Sequence, residues 1–156
     1  MGGVLTVANG GDIFGYFNLG PPGAVHVNGG NFVLSGGGQI QGVMDAADIA
    51  ATIALVGGEF VLSGNAAFVG PGLGRALGTG PVMTLTKDTE FENFELGSGA
   101  TLQGQGTFIC TNTLRWSGGI MKGPGETRIT PNHDLIISGG GILDNRVLQA
   151  YREVLP

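Results

Sequence analysis

The residues best equipped for chemistry lie in the stretch Thr86-Lys87-Asp88-Thr89-Glu90-Phe91-Glu92-Asn93-Phe94-Glu95. Alternate residues of an extended strand share a face, so Asp88, Glu90 and Glu92 are expected to project together. Paired carboxylates can carry the acid–base steps of glycoside hydrolysis, and oxygen-rich clusters bind calcium. No arginine, tyrosine or second acid cluster accompanies them to complete a site. The expected role is a solvated strand face, dispensable for folding, with Asp88, Glu90 and Glu92 kept as candidate calcium ligands and no catalytic residue or cofactor assigned.

The remaining reactive side chains are scattered. His26 and His133 are far apart in the chain and fall in different parts of the repeat described below, so each reads as a surface histidine. Cys110 is the single cysteine, with no second thiol to form a disulfide or complete a zinc site, and is expected to be a buried filler. Gly36-Gly37-Gly38 and Gly139-Gly140-Gly141 are not followed by the Lys-Ser/Thr of a phosphate loop. The net charge is -5 and the only lysines are Lys87 and Lys122, which leaves no basic stripe for nucleic acid. No stretch reaches membrane-spanning length, and Met1-Gly2-Gly3 lacks the basic start and apolar run of a signal peptide.

The elements that hold these residues are written as a repeat. Gly29-Gly30-Asn31-Phe32-Val33-Leu34-Ser35-Gly36 recurs as Gly57-Gly58-Glu59-Phe60-Val61-Leu62-Ser63-Gly64. Apolar-x-apolar pairs continue at Phe94-Glu95-Leu96, Leu114-Arg115-Trp116 and Leu135-Ile136-Ile137. A second short strand is marked by an apolar residue two before a glycine, as in Ile13/Gly15, Ile40/Gly42, Phe68/Gly70 and Leu102/Gly104. A third is marked by the alternation in Val25-His26-Val27, Ile53-Ala54-Leu55, Met83-Thr84-Leu85 and Phe108-Ile109-Cys110. Spacings read at Val7, Leu34, Leu62, Leu96, Trp116 and Ile137 are uneven, which suits a parallel β-helix whose corners lengthen freely. Tyr16–Pro22, Val43–Ala51 and Pro71–Pro81 are the expected excursions.

The expected fold is therefore all-β, a single domain over 1–156. It is a parallel β-helix (β-solenoid) of about six coils with three short strands per coil. Leu34, Leu62, Leu96 and Trp116 should form one inward ladder, while Val33 and Val61 stack outward and call for a cover. Glu95 with Arg115 and Lys122 with Asp144 should meet on neighbouring rungs. Asn93, Asn112 and Asn132 recur near the coil length, either as a stacked amide ladder or as ordinary turn residues. Residues 145–156 read as a helical cap, with Asp144 as N-cap and Val147, Leu148, Tyr151 and Leu155 as its stripe, or else as the start of another coil.

The segment Leu114-Arg115-Trp116-Ser117-Gly118-Gly119-Ile120-Met121-Lys122-Gly123-Pro124-Gly125 resembles the glycine-rich β-solenoid repeats of secreted bacterial surface proteins, including autotransporter-like and haemagglutinin-like adhesins. The resemblance implies an extracellular stalk or adhesive surface. The expected function is a non-catalytic structural or adhesive module, extracellular or at the cell surface, with a surface glycan or homotypic association through the unpaired strand edges of its ends as partner. The alternative is a carbohydrate-binding or carbohydrate-cleaving β-helix of the phage tailspike or polysaccharide lyase type.

Overall fold

The computed structural model describes residues 3–151, and these form a parallel β-solenoid of seven complete turns plus the first strand of an eighth. The first turn holds β1 (Val4–Val7), β2 (Gly11–Ile13) and β3 (Phe17–Leu19), and the second β4 (Ala24–Val27), β5 (Asn31–Leu34) and β6 (Gly38–Ile40). The third holds β7 (Val43–Ala46), β8 (Thr52–Leu55) and β9 (Glu59–Leu62), and the fourth β10 (Ala67–Val69), β11 (Leu73–Ala76) and β12 (Val82–Leu85). In the fifth and sixth turns the first two strands fuse, giving β13 (Thr89–Leu96) with β14 (Thr101–Gln103), and β15 (Phe108–Trp116) with β16 (Ile120–Lys122). The seventh holds β17 (Glu126–Ile129), β18 (Asp134–Ile137) and β19 (Ile142–Asp144), and β20 (Val147–Ala150) opens the eighth.

Three faces result. Face one begins with β1 and ends with β20, face two runs from β2 to β18, and face three from β3 to β19. Register on face one passes through Val4, Ala24, Val43, Ala67, Glu90, Ile109, Arg128 and Gln149, so a turn takes between 19 and 24 residues.

This register corrects the count of six coils, and the reason is physical. The two near-identical octapeptides lie on different faces, because Phe32 is in β5 on face two whereas Phe60 is in β9 on face three. The word Gly-Gly-x-Phe-Val-Leu-Ser-Gly specifies a corner, an alternating strand and the next corner, and such a unit serves any side of a triangle. The long spacings of the first half each combine a whole turn with part of another. The face-two ladder is Ile13, Leu34, Leu55, Ala76, Leu96, Trp116 and Ile137. Leu62 instead stacks between Ile40 and Leu85 on face three. Val33 and Val61 accordingly stand on separate faces, and no shared cover is needed. The supposed excursions contain β3, β7 and β11. The second half, where strands fuse, follows the expected frame.

The core is continuous, and its centre is aromatic. Phe91 stacks on Phe68 at 5.2 Å and on Phe108 at 3.9 Å, while Phe94 meets all three edge-on. Edge-on and offset contacts suit the ring quadrupoles and add to the burial of these large side chains. Gly74 makes room for them, since a Cβ there would lie 2.8 Å from the Phe94 ring.

The carboxyl end differs from the expected helical cap. Val147–Ala150 pairs in parallel with Glu126–Ile129 as a strand, so the competing reading of a further coil is the one realised, and Leu155 lies outside the described residues. No helix among the described residues is long and apolar enough to cross a membrane.

Candidate functional site

The three carboxylates of the acidic stretch do not converge on one point. Asp88 accepts a hydrogen bond from the Thr107 backbone N–H at 2.9 Å, one turn away. Glu92 sits where the register of β13 shifts, between Phe91 and Asn93, and accepts from the Gly70 N–H at 2.8 Å. Glu90 remains exposed on the outward column beside Ile109. Among the described residues, no group of three or more His, Cys, Asp or Glu side chains is gathered to hold a metal ion. Two of the acids thus tie adjacent turns together, which changes the expectation that all three are dispensable. Glu92→Ala should cost about 1 kcal/mol, the value of a partly exposed charged acceptor, while Glu90→Ala should be nearly neutral. Thermal melts of the two variants measure the difference.

The histidines lie in the second and seventh turns. His26 Nδ1 meets Asp45 Oδ2 at 2.8 Å on the adjoining rung of face one, and His133 Nδ1 meets Thr130 Oγ1 at 2.6 Å across a corner. The amide ladder is present between Asn112 Nδ2 and Asn93 Oδ1 at 2.7 Å, and Asn93 Nδ2 continues to the Gly70 carbonyl at 3.3 Å. Asn132 has a positive φ of 65°, as a turn residue in the left-handed region does. Cys110 is buried, and burial pushes its thiol up, so the thiolate nucleophile is disfavoured there.

Charge pairing follows the rungs with one change. Arg115 is in register with Glu95, and Lys122 with Asp144, as the alignment requires. Glu95, however, is engaged by other partners: its Oε1 accepts from Arg75 Nη2 at 3.5 Å and from Ser117 Oγ at 3.1 Å. Arg115 is left without a hydrogen bond or ion pair among the described residues.

The most heavily bonded polar side chain is one that sequence reasoning passed over. Arg146 is 5% exposed, and its guanidinium reaches back through the corner between faces three and one. Nε donates to Thr127 Oγ1 at 2.9 Å, Nη1 to the Gly104 carbonyl at 3.2 Å, and Nη2 to the Gly106 and Glu126 carbonyls at 3.1 and 2.8 Å. Burial pushes its pKa down to about 10, opposed by the nearby Glu126 carboxylate. The legible signal is the glycine column at this corner. A Cβ on Gly125 would stand 2.7 Å from Arg146 Nη1, so the channel exists only because the corner is bare.

Two surface features stand out. A groove between faces one and two is lined by Ile49, Pro71, Leu73, Asn93, Thr113 and Arg115. Near the two ends of the described stack, Leu5 in the first turn and Ile137 and Leu143 in the last occupy inward ladder positions, yet are 43%, 56% and 45% exposed. No known family, curated protein or solved structure matches the chain.

Proposed function

We propose that the protein is a non-catalytic structural or adhesive solenoid module that associates with further copies of itself through its ends. One observation carries this reading. Apart from Ile49, every large hydrophobic residue exposed among the described residues belongs to the first turn, to the last turn, or to the strand after it and Tyr151, which follows that strand. A surface patterned in this way places its apolar cost where the strand edges are also unpaired. A second copy offers a matching cross-section of three parallel strands, so it can satisfy both the backbone groups and the ladders. The side-chain chemistry agrees, because Asp88, Glu92 and Arg146 are committed to backbone groups of neighbouring turns. The surface-associated setting is supported by the likeness of residues 114–125 to adhesin repeats.

Sedimentation over a wide concentration range tests the reading. The parent protein should show reversible, concentration-dependent association, and Ile137→Lys should weaken it about tenfold or more by placing a charge in the joint. A parent that stays monomeric throughout the range, or a variant that associates equally well, would overturn it.

A further inference from the structure

Ile49 is the exception to the rule of apolar ends. It is 82% exposed in the middle of the stack, on the segment that joins β7 to β8. That segment is not slack: Asp48 Oδ1 accepts from the Ala50 N–H at 2.8 Å, and the Asp48 carbonyl accepts from Ala51 N–H at 2.9 Å. A turn braced on both sides holds the isoleucine away from the core and over the groove that runs across the fourth, fifth and sixth turns. At the far side of this groove stands Arg115, whose rung neighbour Glu95 is already taken by Arg75 and Ser117. Among the described residues the Thr113 hydroxyl also lacks a hydrogen bond, while Asn93 is fixed by Asn112 and Gly70. The groove has a volume of about 260 Å³.

We propose that this groove is a binding site for a neutral saccharide. A sugar hydroxyl both donates and accepts, so a site for it needs both kinds of partner held in place, together with an aliphatic surface for the C–H face of the ring. The groove supplies a donor-only guanidinium in Arg115, a hydroxyl in Thr113 and a fixed amide in Asn93. The acceptor Asp134 is in register with Thr113 on the next rung. Ile49, Pro71 and Leu73 form the aliphatic wall. The carboxylates on the neighbouring rungs, Glu95 in register with Arg115 and Asp134 in register with Thr113, lower the positive potential of the groove and work against an acidic ligand. No free strand edge lines the groove, which removes the backbone pairing that an extended peptide would use.

The test titrates the full chain with neutral oligosaccharides (maltohexaose, cellohexaose and chitohexaose), with oligogalacturonate and an acidic peptide as contrasts, following backbone amide shifts. At least one neutral oligosaccharide should bind and shift the amides of residues 49, 93, 113 and 115. Arg115→Ala and Ile49→Ser should each weaken binding about tenfold or more with unchanged melting temperature. Ile137→Lys should bind as the parent does, which separates this site from association at the ends. No binding at millimolar ligand, equal binding by Arg115→Ala, or preferential binding of the oligogalacturonate or the peptide would overturn the proposal.

Discussion

Leu62→Asp should destabilise the protein by about 4 kcal/mol or more, while Val61→Asp, its immediate neighbour, should cost about 1 kcal/mol. Leu62 is fully buried between Ile40 and Leu85. A carboxylate there loses its hydration with no cation or donor at hand, and it also leaves the volume of the leucine partly empty. Val61 points outward between Gln39 and Thr84, where a charge keeps its contact with water. Urea denaturation of the two variants gives the comparison directly. Equal losses at both positions would mean that the alternation of inward and outward residues on face three has been misassigned.

Arg146→Ala should cost on the order of 3 kcal/mol, more than any other polar substitution among the described residues. The guanidinium serves the Gly104, Gly106 and Glu126 carbonyls and the Thr127 hydroxyl, which belong to successive turns of one corner. Removing it leaves buried acceptors with nothing to bind and a channel where the side chain ran. Arg146→Lys should recover only part of the loss, because a single ammonium cannot reach the spread of acceptors that the planar fork spans. The loss should concentrate at the carboxyl end, so hydrogen exchange should rise first in β17 and β20. A variant with parental stability and exchange would refute the role. Removing residues 145–156 would take Arg146 away as well, so such a truncation reports on this anchor more than on any cap.

The fold class was legible because alternation, glycine corners and apolar ladders are local consequences of a parallel stack. The coil count was not, because the octapeptides at Gly29 and Gly57 look like one rung read twice, and only pairing across the stack shows Phe32 and Phe60 on different faces. In the second half, outward charges supplied that missing information. Glu95 with Arg115 and Lys122 with Asp144 fixed the alignment where apolar residues alone were ambiguous. The amide ladder from Asn93 to Asn112 was legible for the same reason. Arg146 was not, since its partners are backbone carbonyls, which leave no mark in the sequence beyond the absence of side chains at Gly104, Gly106 and Gly125. The groove was equally hidden, because Ile49, Leu73 and Arg115 come from three different turns and share no spacing.

The interchangeable octapeptides have a consequence for how such a chain can change. A screw thread that loses a short length still fits its own pitch, with everything beyond the cut rotated. Deleting or duplicating one corner-and-strand word should likewise leave the apolar interior filled while carrying every later outward side chain to the next side of the triangle. Chemistry displayed on one side of the rod could then move to another in a single step, without passing through an unfolded intermediate sequence. Arg146 and the phenylalanine cluster would resist this most, since each fits one corner and not its neighbours.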